Sequence, residues 1–223
     1  MTTKRILDWL DRELEVGKFD DVSNNGLQVA GPEKVAKVAF AVDASLESVK
    51  AAVACGAQLL VVHHGISWGG GIRRLTGGIF EVVRTAIEGG VAIAAYHLPL
   101  DANRKYGNNY ELARFLGLKK LKPAFPYHGN VIGVTGVNPQ GVKVGVCSGG
   151  AGEFAEEAKN LGCGLYVTGE ASWGEVIAAE NCGMEMVCAG HYATETFGVK
   201  SLGRLVAERF GVEAEFVDFR LPW

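Results

Sequence analysis

The sequence predicts an α/β protein built as two similar lobes on a duplicated βαβ unit. Three observations lead there. Short apolar runs of strand length alternate with stretches of helical periodicity. The order Val38–Val42, helix, Gly56, Leu59–Val62 reappears 106 residues later as Val144–Cys147, helix, Gly162, Leu165–Val167. The runs also end on histidines and carboxylates: His63-His64, His97 with Asp101, Glu170, and His191 with Glu195.

Taken in order, Ile6–Leu14 reads as an amphipathic helix with Ile6, Leu7, Leu10 and Leu14 on one side. Asp20–Gln28 (DDVSNNGLQ) is turn chemistry, bent most sharply at Asn25-Gly26. Val38–Val42 is a buried strand. Asp43-Ala44-Ser45 then supplies a helix cap for Leu46–Cys55, with Glu47 in the first turn, and Gly56 stops that helix. Leu59–Val62 is the next strand, closed by His63-His64.

In the second copy, Val144–Cys147 is the strand, Ser148–Gly152 a glycine-rich turn and Glu153–Leu161 the helix. Leu165–Val167 is the strand closed by Gly169-Glu170. Under the 106-residue shift His64 falls on Glu170. A shift of 94 places His97 and Asp101 on His191 and Glu195. The difference of 12 is accounted for by a loop, Gly65–Gly78, that only the first copy carries. Proline, glycine and polar residues at Lys122–Gly129 (KPAFPYHG) mark the expected boundary between a first lobe, 1–125, and a second, 126–223. Ligands of open α/β sheets collect outside the carboxyl ends of the strands, so the singled-out residues are expected in a cleft between the lobes.

Composition narrows the function classes. With 223 residues and 48% hydrophobic content the chain can build a large core, which excludes a disordered protein. The net charge of −3, with Lys and Arg scattered and groupings such as Lys119, Lys120, Lys122 and the pair Arg73-Arg74 reading as solvated faces, argues against a nucleic-acid surface. No apolar run is long enough to span a bilayer. Five cysteines follow no CxxC spacing and no secretory leader precedes them, so a reducing cytoplasmic location is expected. The stretch Gly65–Gly78 (GISWGGGIRRLTGG) lacks the phosphate-loop pattern, and Gly149–Gly152 lacks the dinucleotide fingerprint. Trp68 offers a stacking surface and Arg73-Arg74 anion contacts at that loop.

The strand-end cluster carries the chemistry. His63 and His64 would point to opposite faces if their strand continued. At its end, with Gly65 next, both imidazoles can reach one centre, or one ligates while the other caps. Asp101 and Glu195 stand in apolar settings, where a carboxylate needs a partner or a cation. A carboxylate can bridge two cations roughly 3.5–4 Å apart. His63, His64, Asp101, His191 and Glu195 thus form an N/O donor set suited to two divalent ions of Zn, Fe, Mn, Co or Ni. His97 either ligates or orients Asp101 or a substrate. Glu170 either acts near the metals or caps the helix that follows it. His128 reads as a surface histidine.

Several pieces resemble one known family: Asn25-Gly26-Leu27-Gln28-Val29, Val62-His63-His64-Gly65, His97-Leu98-Pro99-Leu100-Asp101-Ala102, Gly107-Asn108-Asn109, Thr168-Gly169-Glu170 and Gly190-His191-Tyr192-Ala193-Thr194-Glu195. Together they are similar to the dimetal proteins known as GTP cyclohydrolase I type 2 homologues, the interacting-factor-three-like proteins. The last piece is the most specific. The resemblance implies that His63, His64, Asp101, His191 and Glu195 carry two metals with His97 close by. It also implies two α/β lobes and a ring-shaped homohexamer, here without the domain that longer members insert. Glu170 stands where the family pattern has aspartate, Trp173 lies where relatives carry histidine, and the loop after His64 is richer in glycine.

The expected function is hydrolysis of a small molecule or nucleotide by water activated at the metals, with His97 or Glu170 moving the proton. For GTP this would open the guanine ring at its imidazole carbon. The alternative is a metal-binding regulatory or scaffold protein without turnover.

Overall fold

The computed structural model describes residues 1–219. In chain order its elements are α1 (Thr3–Glu13), β1 (Gly26–Val29), β2 (Lys37–Asp43), α2 (Leu46–Ala54), β3 (Leu59–His64), α3 (Gly77–Glu88), β4 (Ala92–Ala95) and α4 (Leu98–Ala102). There follow α5 (Asn108–Phe115), β5 (Lys119–Tyr127), β6 (Asn130–Val137), β7 (Lys143–Gly150), α6 (Ala155–Asn160), β8 (Leu165–Glu170), α7 (Trp173–Asn181), β9 (Met186–Cys188), α8 (His191–Phe210) and β10 (Glu213–Phe216).

These form two compact units. One comprises Met1–Pro99 and the stretch from Val199 onward, the other Leu100–Gly198. The first carries a five-stranded sheet in the order β1-β4-β3-β2-β10, the second one in the order β5-β6-β7-β8-β9. In the first sheet β10, β2, β3 and β4 run parallel and β1 is antiparallel. In the second, β7, β8 and β9 are parallel, while β5 and β6 form an antiparallel hairpin on the β7 edge.

The duplication is visible in the register. Val38 pairs with Leu59 in the first unit and Val144 with Leu165 in the second, each residue displaced by the same 106 positions. The bounds of β2 and β3 map onto the starts of β7 and β8, and Glu170 closes β8 as His64 closes β3. Gly56 and Gly162, equivalent after the two crossover helices, both adopt the left-handed backbone, at φ 76° and 77°. Glycine tolerates that turn without the Cβ penalty other residues meet.

Burial follows from the parallel pairing. A strand covered on both faces must be apolar along its whole length, and Leu59, Leu60, Val61 and Val62 of β3 are fully buried. Each such side chain contributes roughly 1.5–3 kcal/mol on leaving water. The first core gathers Ala39, Leu60, Val62, Ile93 and Val49, the second Val134, Val144, Val146, Val167 and Leu112. Cys147 and Cys163 are buried free thiols that pack as small hydrophobes, and burial pushes both thiols up.

Two expectations are corrected. Lys122–Gly129 is no linker: Lys119–Tyr127 is β5, and His128-Gly129 is the exposed turn into β6. Proline fits there because β5 is an edge strand, which can spare an amide donor. Nor do the compact units divide at 125/126, because β10 pairs with β2 and returns the C-terminal stretch to the first unit. The first helix also begins earlier than its apolar pattern suggests, because the Thr2 side chain accepts from the Arg5 amide and caps it. In α7, Ser172 and Glu175 form a reciprocal capping box. Ser172→Ala is expected to cost about 1 kcal/mol, read as a lowered urea midpoint at unchanged slope.

Candidate metal centre

In the first unit, β3 delivers His63 and His64 where its apolar run ends. Their rings lie 4.6 Å apart at 42°, so both imidazoles stay near one point even though they are adjacent on the strand. His97, just after β4, brings a third ring 5.1 Å from His63 and 5.6 Å from His64. One ligating nitrogen from each lies within 4.8 Å of the others, and this trio could hold a metal ion. Trp68 stands beside them, its ring 5.1 Å from His97 and edge-on, with its Nε1 donating to the Gly65 carbonyl at 2.9 Å.

Each imidazole is oriented through Nδ1. The Tyr96 carbonyl meets Nδ1 of His63, Asp43 Oδ1 meets that of His64, and Asp21 Oδ1 meets that of His97, all at 2.9 Å. Asp43 closes β2 in register with His64, which is why the two side chains meet. The Asp20–Gln28 turn wraps His97. Asn25 Oδ1 accepts from the His97 amide at 2.7 Å, and Asp21 Oδ2 accepts from the Leu98 amide at 3.0 Å and from Asn25 Nδ2 at 2.8 Å. Burial opposes ionisation of Asp21, but hydrogen bonds from His97, Asn25 and the Ser23 amide, with the attraction of His97, hold its carboxyl down at about 2. Gln28 pins the start of the glycine-rich loop, its Oε1 accepting from Ile66 and Ser67 amides at 2.7 and 3.1 Å.

In the second unit, Asp101 on α4 is buried, and its Oδ1 accepts from Asn108 Nδ2 at 2.9 Å and Ser148 Oγ at 3.3 Å. Asn108 and Asn109 are themselves fully buried. Asn108 Oδ1 takes the Gly198 amide at 2.7 Å, and Asn109 Oδ1 takes the Ser148 amide at 2.6 Å. His191 opens α8, so Glu195 follows one turn later on the same face. His191 Nε2 lies 3.1 Å from Glu195 Oε1, and its Nδ1 lies 3.0 Å from Glu170 Oε1. Glu195 is buried while the Glu170 side chain is 64% exposed. The hydrogen bond to Glu195 raises His191 to about 9 against the effect of burial, with the charges of Glu195 and Glu170 adding to the rise. The turn after Cys147 comes close to this pair: a Cβ on Gly149 would meet Glu195 Oε1 and lie 3.3 Å from His191 Nε2.

Thus His63, His64 and His97 come together in one unit, and His191, Glu195 and Glu170 in the other, with Asp101 held in a buried amide-hydroxyl network. Several residues that the sequence does not mark as part of the site support it, among them Asp21, Asn25, Asp43 and Ser148. By sequence Asp21 and Asn25 belong to a turn, Asp43 to the cap Asp43-Ala44-Ser45, and Ser148 to a glycine-rich turn. Within the expected cap Asp43-Ala44-Ser45 it is Ser45 that caps α2, accepting from the Ser48 amide at 3.1 Å, which leaves Asp43 to the histidine. The usable signal for Asp43 was positional, since it ends the strand next to the one His64 ends.

The donor set fits metal. A histidine that donates Nδ1–H to oxygen presents Nε2 as the ligating atom, and such oxygen partners are a usual companion of metal-bound imidazole. All four histidines have Nδ1 on an oxygen.

The sequence profile of Duf34/NIF3 (NGG1p interacting factor 3) matches residues 1–142 and 127–221. The chain belongs to the Duf34/NIF3 family. It is 38% identical to a protein of Pyrococcus horikoshii named GTP cyclohydrolase 1 type 2 homolog, covering 98% of both chains. A protein of the same name from Deinococcus radiodurans is 36% identical, over 96% of this chain and 92% of its own. Among solved structures, TTHA1606 from Thermus thermophilus superposes with a TM-score of 0.89 at 31% identity, covering all of both chains. Protein ybgI, whose function is described as unknown, superposes at 0.86 and 26% identity, also over all of both chains. The Duf34/NIF3 fold is therefore shared over the whole length. No helix among the described residues is long and apolar enough to cross a membrane.

Proposed function

We propose that this chain holds two divalent metal ions through His63, His64, Asp101, His191 and Glu195 and hydrolyses a small molecule or nucleotide. The observation that carries the reading is the engagement of Nδ1 on every histidine of the two clusters by an oxygen acceptor. That pattern gives each ring the same ligating atom, Nε2. The buried carboxylates of Asp101 and Glu195 supply the negative charge that two cations require.

A metal pair supplies Lewis acidity and shifts the pKa of water toward neutrality. The chain's residues do the rest. Asn108 and Ser148 keep one oxygen of Asp101 engaged, which fixes the direction of the other. Glu195 and Glu170 flank His191 and raise its pKa to about 9, so a metal held there would compete with a proton. His97, braced by Asp21, is the residue we assign to proton movement, at Nε2. The cytoplasmic, homohexameric protein without nucleic-acid or membrane partners expected from the sequence is part of the same proposal. The name of the relatives makes GTP the first substrate to test.

Elemental analysis of protein purified without added metal or chelator tests the reading. About two ions per chain are expected, with less in His63→Ala and in Glu195→Ala. Near-zero content that added divalent ions do not restore would overturn it. Full metal content without turnover of nucleotides or phosphoesters would leave the metal sites standing and favour a regulatory role.

A further inference from the structure

In both units a carboxylate at a strand end meets the Nδ1 of a histidine. Asp43 ends β2 and meets His64 at 2.9 Å, while Glu170 ends β8 and meets His191 at 3.0 Å. The two contacts are not built from equivalent residues. Under the 106-residue equivalence Asp43 falls on Gly149, and His64 falls on Glu170. The acid has therefore changed strands between the copies, and in the second copy it stands where the first copy has its imidazole.

The imidazole of the second copy enters instead from the start of α8. The position equivalent to Asp43 disfavours any side chain. Gly149 has φ +69°, and a Cβ there would meet Glu195 Oε1 and crowd His191 Nε2. Two different local solutions thus produce one contact, a strand-end carboxylate on one imidazole Nδ1.

We infer that Asp43 and Glu170 are a matched pair of positioning residues, each fixing the tautomer and ring direction of one metal-binding histidine. Nothing in this role requires either carboxylate to touch the metal or the substrate. A carboxylate at Nδ1 holds the ring proton there and turns Nε2 outward. Glu170 accordingly acts through His191 rather than as a proton carrier. The inference rests on the dinuclear reading only for the identity of what Nε2 meets.

The test combines Zn2+ titration calorimetry with long-range 1H–15N spectra of the imidazoles. Asp43→Ala and Glu170→Ala are each expected to weaken Zn2+ binding on the order of 10- to 100-fold. Asp43→Glu and Glu170→Asp are expected to recover most of that loss. In chelator-treated wild type the His64 proton resides on Nδ1, and in Asp43→Ala it moves toward Nε2. His191 is read in the same way in the Zn2+-loaded protein, with Glu170→Ala as its variant. Wild-type Zn2+ affinity together with unchanged tautomers in both alanine variants would overturn the inference. Should Asp43→Ala fail to fold, Asp43→Asn keeps an oxygen acceptor without the charge. It is expected to keep the Nδ1 proton and bind Zn2+ with intermediate affinity, and wild-type affinity there would remove the role assigned to the charge. If wild type takes up no Zn2+, the dinuclear reading falls, while the metal-free His64 tautomer still decides whether Asp43 sets that ring.

Discussion

Gly149→Ala is expected to destabilise the protein by about 2–5 kcal/mol and to weaken Zn2+ binding along with it. Two causes add. The backbone at this position is left-handed, at φ +69°, which costs a residue with a Cβ roughly 1–2 kcal/mol. The new methyl would also occupy the space of Glu195 Oε1, the end of a buried carboxylate side chain, which must shift, and overpacking of this kind costs about 1–3 kcal/mol. Gly162→Ala is the control. Its φ is +77°, yet a Cβ there meets nothing within 4 Å, so only the backbone cost of roughly 1–2 kcal/mol applies and Zn2+ affinity stays at the wild-type value. Urea denaturation with and without Zn2+ measures both. Equal losses in the two variants would show that the methyl does not reach Glu195.

Asp21→Asn is expected to remove about 2 kcal/mol of stability at neutral pH, and the loss should vanish in acid. The folded carboxyl titrates at about 2, below its ordinary value of 3.8, because hydrogen bonds from His97, Asn25 and the Ser23 amide outweigh burial. The Asp21 side chain is 1% exposed, so solvent screens these interactions little. A depressed carboxylate stabilises the fold fully above its unfolded value and ceases to do so as pH falls through the folded one. The difference between wild type and Asp21→Asn should therefore be constant from pH 7 to about 5 and shrink from about pH 4 toward pH 2. Urea midpoints of chelator-treated proteins across that range provide the measurement. A difference independent of pH would mean that Asp21 acts through packing and not through its charge.

Much of the architecture was legible because it depends on local pattern. The apolar run Leu59–Val62 requires a strand buried on both faces, and the glycines at 56 and 162 mark where the two crossover helices must stop. The repetition at 106 residues carried the duplication, and the structure repeats it in the pairing of Val38 with Leu59 and Val144 with Leu165. The histidines and carboxylates stood out because charged groups seldom stay in apolar settings without a partner. His128, read as a surface residue, is exposed in the β5–β6 turn.

Other features escaped sequence reasoning because they depend on contacts between residues far apart in the chain. Asp21 lies 76 positions from His97, and its DDVSNNG surroundings read equally well as an ordinary turn. Asp43 resembled a helix cap until the parallel register set it beside His64. KPAFPYHG has the composition of a linker, but its pairing with β6 makes most of it a strand. The return of β10 to β2 joins residues more than 170 positions apart, and no local periodicity encodes that pairing. The sequence by itself determined the fold class, the duplication and the candidate ligands, since these follow from hydrophobic period, repetition and side-chain chemistry. Only the tertiary structure decided where the units divide and which oxygen holds each imidazole, because strand register and turn placement determine which side chains come within a hydrogen bond of each other.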